Sequence, residues 1–245
     1  MKKHMKNTIL TLVFILLTST LLACDTCIKY NNNDLQIIKA SIIHDTTIAS
    51  TIWEIHVKGK AGNTTPTPIG KLHGAPVLGY VFPTTLQPTD VGFSKTEGIV
   101  ALALTSHPDF DDTPLWDENN DLTYDNDGII WHPHWVILHK DERVEGGLSV
   151  KQFKKTDPTV KLPPTNPGMP MYMDSPGFQV ITNQTSIKVI IPDYRMNNKT
   201  DFKFDAVSAY MQVNTEIKDK PMLGVYKVYS VLSKDLSLPY MVKSK

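Results

Sequence analysis

The sequence predicts an all-β protein, an antiparallel β-sandwich of the immunoglobulin-like or jelly-roll type, with a barrel as the alternative. Three observations support this. Short runs rich in β-branched and aromatic residues recur along the chain, separated by Pro, Gly, Asn and Asp. No helical periodicity extends over about 12 residues. The 17 prolines suit loops and edge strands better than helices. Strands without intervening helices favour two packed sheets or one closed sheet.

The individual strands follow from the period of the apolar residues. Apolar and polar residues alternate at 53–57, and Ile187, Val189 and Ile191 repeat the pattern around Lys188, as expected of half-buried strands. The segment Asn183-Gln184-Thr185 predicts a hairpin turn, and Asp127-Gly128 predicts a tight turn. Near 88–93 at most a short turn of helix is expected. The remaining predicted strands are 35–43, 77–82, 98–105, 129–138, 178–182, 202–213 and 224–232.

The first 23 residues predict a secretory signal. Lys2, Lys3 and Lys6 form a basic start, and an apolar run of about 15 residues follows, which is short for a membrane span of ~20. The string Leu21-Leu22-Ala23-Cys24 resembles the lipobox of bacterial lipoproteins. That resemblance implies cleavage before Cys24, a lipid on its thiol, and a protein anchored in the bacterial cell envelope, facing the periplasm or the exterior.

A plain secretory signal is the alternative, in which Cys24 and Cys27 both stay in the chain and can pair. The expected organisation is a signal peptide at 1–23, the lipidated Cys and a polar tether at 24–33, and one β-sandwich domain at 34–245. The Lys- and Pro-rich stretch 151–176 is interpreted as a long loop inside that domain.

The charge balance argues against a nucleic-acid binder. Three of the 25 basic residues lie in the first 23, which leaves 22 basic against 25 acidic residues, a net charge of about −3. A nucleic-acid-binding protein needs a basic face. The lipobox resemblance instead implies the membrane as the partner, through the lipid on Cys24. No protein partner can be named from the sequence.

One stretch, 96–139, contains no Lys or Arg in 44 residues but holds nine acidic residues and four of the eight histidines. Carboxylates held close together without a counter-charge repel one another, and a bound metal ion is one way to relieve this. In Trp131-His132-Pro133-His134-Trp135, the two histidines lie two apart and share one face of a strand. Two imidazoles on one face can chelate a transition metal such as Zn²⁺ or Cu²⁺.

His107 and Asp109 form a similar alternating pair at the end of the preceding apolar run. If the two strands are neighbours, His107, Asp109, His132 and His134 converge in one site. The alternative is a pair of half-exposed histidines flanked by core tryptophans.

The same stretch offers a second, oxygen-rich candidate. Carboxylates and amides at alternate positions suit Ca²⁺, a hard cation that takes six to eight oxygen ligands. The spacing is not that of an EF-hand, because Leu122 stands where the loop glycine is expected and Gly128 where the bidentate Glu is expected. A solvated turn region, bonded to its own backbone, is the alternative. The candidate calcium ligands are Asp117, Asn119, Asp121, Asp125 and Asp127.

A third pattern is Met169-Pro170-Met171-Tyr172-Met173. Three thioethers at alternate positions can bind Cu(I), although alternating methionines also fill apolar gaps in cores.

Three functions remain. The favoured one is an anchored binding module for a divalent metal. The alternatives are a structural or interaction lipoprotein without metal, and a metal-dependent enzyme. The enzyme is less favoured, because the sequence contains no Gly-x-Ser-x-Gly, P-loop, Gly-x-Gly-x-x-Gly or His-Glu-x-x-His motif.

Overall fold

The computed structural model describes residues 24–113, 117–123 and 127–245. The described residues are almost entirely β, which confirms the fold class. Within the described ranges, helical structure is limited to α1 (Asp25–Ile28) and three 3₁₀ turns, at Asn33–Leu35, Pro88–Val91 and Asp193–Met196. The strands are β1 (Ile37–Asp45), β2 (Ser50–Val57), β3 (Pro76–Pro83), β4 (Ile99–Ser106), β5 (His132–Lys140), β6 (Leu148–Val150), β7 (Met173–Asp174), β8 (Val180–Asn183), β9 (Ser186–Pro192), β10 (Lys203–Phe204), β11 (Val207–Val213), β12 (Leu223–Val231), β13 (Tyr240–Met241) and β14 (Lys243–Ser244).

The larger sheet closes into a barrel, the architecture that the sequence left as the alternative. Its strands follow the order β4-β3-β11-β12-β6-β5, and β5 pairs back onto β4 to complete six strands. All these pairs are antiparallel. In the register of β4 and β5, Thr105 lies opposite His132 and Ala103 opposite His134. This pairing makes the two strands neighbours, as the predicted histidine site requires.

A second sheet, in the order β14-β1-β2-β9-β8, packs against the outside of the barrel. The alternation predicted at 53–57 and 187–191 accounts for the contact, because Trp53, Ile55, Ile187, Val189 and Ile191 are fully buried. The Trp53 ring lies 5.3 Å from that of Phe82 on β3 and 5.7 Å from that of Trp135 on β5, between ring centroids. The predicted turn at 183–185 joins β8 to β9, where Asn183 pairs with Ser186.

The barrel interior forms a separate core. Alternate residues of a strand point to opposite faces, so β5 directs Trp135 and Ile137 towards the second sheet and Val136 and Leu138 inward. His134 lies on the same inward-facing side as Val136. The inward face of β5 therefore begins with two histidines, His132 and His134, and continues as hydrocarbon.

Part of the segment predicted as a polar tether is packed against the domain. Cys27 and Tyr30 are buried, the Tyr229 hydroxyl donates to the carbonyl of Cys27, and the Tyr30 ring stacks on Tyr210. A disulfide joins Cys24 to Cys27. In the described part of the chain, no helix has the length and apolar character needed to cross a membrane.

Candidate metal centre

Four side chains from three segments meet at one end of the barrel. His132 and His134 lie on β5, His107 directly follows the end of β4, and Asp112 lies in the loop that continues from it. One potential ligand atom from each residue lies within 4.8 Å of the other three. Among the described residues, this is the one group of three or more His, Cys, Asp or Glu side chains that converge in this way.

The spacing of the ligand atoms approaches that of a tetrahedral site. Asp112 Oδ1 lies 3.4 Å from His107 Nε2, 3.5 Å from His132 Nε2 and 3.4 Å from His134 Nε2. Ligand atoms around a tetrahedral Zn²⁺ with bonds of 2.0–2.1 Å are separated by about 3.3 Å. The carboxylate oxygen therefore stands at about the distance from all three imidazoles that a shared ion requires. The closest pair is His107 Nε2 and His132 Nε2, at 2.8 Å.

The positions of the imidazole protons make this closest contact unfavourable without a cation. His107 Nδ1 lies 2.8 Å from the carbonyl oxygen of Phe110, and His132 Nδ1 lies 2.7 Å from that of Ile130. A carbonyl oxygen only accepts, so each Nδ1 carries a proton, and in the neutral ring Nε2 is then a bare lone pair. Two such lone pairs face each other, and a proton or a metal ion between them turns repulsion into attraction.

The site is also deeply buried. The exposed fractions of the four side chains are 3%, 7%, 3% and 9% for His107, His132, His134 and Asp112. Burial lowers the pKa of His134 to about 3, with the neighbouring histidines acting in the same direction and Asp112 opposing them. Burial raises the pKa of Asp112, but the imidazoles, His134 foremost, lower it by more, so that carboxyl is held well below its usual value. Asp112 Oδ1 nevertheless has no hydrogen-bond partner.

Contacts with residues outside this group of four hold the imidazole rings of His134 and His107 in place. The Nδ1 atom of His134 lies 3.0 Å from the hydroxyl oxygen of Ser175, which is itself buried. The His107 ring stacks on Phe110, with centroids 4.2 Å apart. Outer contacts of this kind orient metal-ligating histidines and fix which nitrogen faces the ion. Sequence reasoning did not identify Ser175, because it lies 41 positions from His134 in the chain and no local pattern links the two residues.

Gly128 shapes the loop around His107. The backbone N–H of His107 donates to the Gly128 carbonyl over 2.7 Å. Gly128 has a φ of 101°, and a Cβ on it would collide with the carbonyl oxygens of Phe110 and His107. Gly128 therefore allows close backbone packing against the site, and the tight turn predicted at Asp127-Gly128 stays a prediction, because residues 124–126 lie outside the described residues.

The structure brings together His107, His132 and His134 but not Asp109, and it adds Asp112. Asp109 Oδ1 instead accepts from the backbone N–H groups of Ile69 and Gly70, each over 2.6 Å. The strand alternation that paired Asp109 with His107 does not apply, because β4 ends at Ser106 and both residues lie beyond it. Of the three acids Asp109, Asp111 and Asp112, the loop conformation alone decides that Asp112 faces the histidines.

The oxygen-rich stretch bonds largely to its own backbone. Asp117 accepts from the N–H groups of Asp121 and Leu122, and Asn119 accepts from that of Asp121. Asp121 in turn accepts from the N–H of Thr123, and Asp127 is buried with Oδ2 unpartnered. Asp125 lies outside the described residues. The calcium site stays a prediction.

The methionine pattern lies in the barrel core. Met171 and Met173 are buried, and Met169 packs against the same cluster. Their neighbours there are aliphatic side chains, as expected of methionines that fill a core.

Comparison of the chain with protein families, curated proteins and solved structures finds no family model, no curated protein and no solved structure that matches.

Proposed function

We propose that this protein is an envelope-anchored lipoprotein that holds a divalent transition metal ion at His107, Asp112, His132 and His134. The observation that carries the proposal is the 2.8 Å approach of His107 Nε2 to His132 Nε2 beside the buried Oδ1 of Asp112, which lies 3.4–3.5 Å from all three imidazole Nε2 atoms and has no hydrogen-bond partner. A cation at their centre satisfies all of these atoms at once. Without one, the buried carboxylate and the facing lone pairs cost free energy.

The donor set favours Zn²⁺ over the other candidates. Three imidazole nitrogens and one carboxylate oxygen suit Zn²⁺ and Cu²⁺, whereas Ca²⁺ prefers six to eight oxygens and Cu(I) prefers sulfur. Four protein ligands are typical of zinc sites that stabilise a fold, since catalytic zinc usually has three. Because the four side chains are buried, the ion is a resident of the fold and not a freely exchanging cargo.

Metal content and thermal stability test this proposal. We expect about one zinc per chain in the purified protein, its loss on dialysis against EDTA, and its return on addition of Zn²⁺. At free Zn²⁺ 100-fold above the Kd, binding stabilises the fold by about 2.7 kcal/mol, which raises the Tm of a chain of this size by roughly 5–10 °C. Elemental analysis and calorimetry with Zn²⁺, Cu²⁺ and Ca²⁺ separate the candidates.

A rise in Tm with Ca²⁺ alone would indicate that the ion binds to the oxygen-rich stretch between Asp117 and Asp127 and not to the histidines. If no ion binds and none changes the Tm, the proposal fails and the interaction lipoprotein becomes the better description.

The lipid anchor is a separate part of the proposal and rests on the lipobox-like string that ends at Cys24. A thioether on Cys24 and the Cys24–Cys27 disulfide exclude each other, since both use the same sulfur atom. We expect a Cys27→Ser variant to remain in the membrane fraction and a Cys24→Ser variant to leave it. Mass spectrometry of the tryptic peptide 24–29 should show acyl chains on Cys24. An unmodified peptide whose mass rises by two hydrogens on reduction would instead establish the disulfide and remove the anchor.

A further inference from the structure

The segment between Cys24 and the folded domain is very short. Cys27 is fully buried, and its backbone N–H donates to the carbonyl of Cys24 over 2.9 Å. The hydroxyl of Tyr229 donates to the carbonyl of Cys27 and so fixes the same residue to β12. The Cα atoms of Cys24 and Cys27 lie 5.3 Å apart. A lipid on Cys24 therefore leaves no long tether, and it brings the membrane surface against the part of the domain next to Cys24.

That part of the domain contains an open polar pocket of about 340 Å³. Thr26 and Lys29 line it, so the pocket begins two residues after Cys24. Lys71, from the loop between β2 and β3, and Lys220, from the loop between β11 and β12, line it as well. None of the described residues that line the pocket is acidic. The surface next to Cys24 is therefore basic, although the chain after residue 23 has a net charge of about −3.

The three ammonium groups are exposed and available to a ligand. Within the described part of the chain, Lys29, Lys71 and Lys220 take part in no ion pair. Lys29 Nζ lies 4.8 Å from the centroid of the Tyr30 ring, and Lys220 Nζ lies 5.3 Å from that of Tyr226. Both rings are buried. These cation–π contacts therefore hold the two ammonium groups at the wall of the pocket.

Two acids contact residues that line the pocket, and both are engaged elsewhere. Glu216 pairs with His73, with 3.7 Å between Oε2 and Nε2. Asp109 Oδ1 accepts from the backbone N–H groups of Ile69 and Gly70. The three lysines therefore remain the charges that the pocket offers to a ligand.

Exposed aliphatic side chains accompany the lysines. Ile69 is 46% exposed and Ile217 is 47% exposed, and both line the same pocket. Surfaces that lie on a bilayer combine these two features, because aliphatic groups enter the boundary of the acyl chains while lysines meet anionic headgroups. A dissolved anion gains nothing from exposed isoleucines. The combination therefore favours a lipid headgroup over a free phosphate.

We propose that Lys29, Ile69, Lys71, Ile217 and Lys220 form a membrane-docking face that binds the phosphate of an anionic phospholipid. The proposal rests on the lipid anchor proposed above, which brings this face to the bilayer. Each lysine near an anionic surface strengthens binding about fivefold, and three together about 100-fold. Binding of this strength is reversible without an acyl chain, so a Cys24→Ser variant still leaves washed membranes.

Co-sedimentation of the full-length Cys24→Ser protein with vesicles measures the docking face without an acyl chain. One set of vesicles is phosphatidylcholine alone, and the other is phosphatidylcholine mixed with phosphatidylglycerol. We expect about 100-fold tighter binding to the mixture. This preference should disappear in ~1 M salt, where the Debye length is only about 3 Å. Free glycerol 3-phosphate, at the concentration of the phosphatidylglycerol, should not displace the protein.

A triple variant with Lys29→Gln, Lys71→Gln and Lys220→Gln removes the three charges. It should bind the mixed vesicles about 100-fold more weakly. The matched control is Lys95→Gln, Lys203→Gln and Lys234→Gln. These three lysines are also exposed, and they adjoin the other ends of the barrel strands, at the start of β4, the start of β11 and the end of β12. The control should keep the affinity of its Cys24→Ser parent, and the Tm of all three proteins should agree.

Three results would each overturn the docking face. They are equal binding to the two kinds of vesicle, equal losses in the two triple variants, and displacement by glycerol 3-phosphate, which would make a free phosphate the ligand. Mass spectrometry of Cys24 separates this proposal from the anchor. Acyl chains on Cys24 without a preference for phosphatidylglycerol defeat the face and leave the anchor standing. The preference in a protein whose Cys24 carries no acyl chain defeats the anchor and leaves the face standing.

Discussion

Replacing Asp112 by Asn is expected to weaken Zn²⁺ binding by about 100-fold or more. Substitutions that only remove an outer contact of a metal ligand cost 10–100-fold, and this one removes a charged ligand atom that lies 3.4–3.5 Å from all three imidazole Nε2 atoms. Zinc affinity measured by competition with a chelator, and the Tm with and without Zn²⁺, check the expectation.

The metal-free variant provides a second readout. The amide that replaces the carboxylate of Asp112 carries no charge, so the variant does not bury an unpartnered carboxylate. The EDTA-treated Asp112→Asn protein should therefore melt at the same temperature as the metal-free parent or above it. That result would separate a lost ligand from a general loss of folding.

Asp109→Asn is the matched control, because it makes the same chemical change in the same loop. Its remaining oxygen can still accept from the backbone N–H groups of Ile69 and Gly70. Zinc affinity should stay within a few-fold of the parent. Equal losses in the two variants, or a larger loss for Asp109→Asn, would show that the acid in the site is not Asp112.

The Trp53→Ala substitution is expected to destabilise the protein by about 3–5 kcal/mol. Trp53 is fully buried between the second sheet and the barrel, where its ring contacts those of Phe82, Trp135 and Phe202. Removing it leaves a cavity in this interface, and the Tm should fall by roughly 10 °C or more. Denaturant unfolding followed by fluorescence and circular dichroism measures the free energy of unfolding.

Ile190→Ala is the control for this change. Ile190 lies on the outward face of the same sheet, is 39% exposed, and pairs with Ile52. Its replacement should cost less than about 1 kcal/mol. If sheet and barrel form one cooperative unit, Trp53→Ala retains a single transition. A loss below 1 kcal/mol, or separate transitions for two parts of the chain, would contradict the single domain expected over 34–245.

Features that depend on the local period of the chain were predicted from the sequence. The strands with clear alternation, β2 and β9, lie where that alternation indicated and bury the expected residues. The common face of His132 and His134 also follows from the period of two in a strand, and the ring centroids lie 4.9 Å apart. The short strands β6, β7, β13 and β14 were missed, because two or three residues carry no readable period, and the strand predicted at 202–213 is divided into β10 and β11.

The acidic residue of the candidate centre could not be identified from the alternation of residues along a strand. The sequence offers three aspartates close to His107, namely Asp109, Asp111 and Asp112, and only the alternation of residues from His107 favoured Asp109. The chain leaves the strand at Ser106, and beyond that point the loop conformation decides which carboxylate faces the histidines. That conformation depends on hydrogen bonds to distant residues. The backbone N–H groups of Ile69 and Gly70 donate to Asp109, and the backbone N–H of His107 donates to the carbonyl of Gly128.

The sequence by itself therefore determined the all-β class, the buried faces of the longer strands and the shared side of His132 and His134. Each of these is set by the alternation of side chains along a single strand. The tertiary structure alone decided the closure of the barrel, the choice of Asp112 and the contact of Ser175 with His134. These features join residues that the alternation along one strand does not relate, such as Pro76 and Gln212 across β3 and β11, and they arise only when non-local strand pairing and packing bring those residues together.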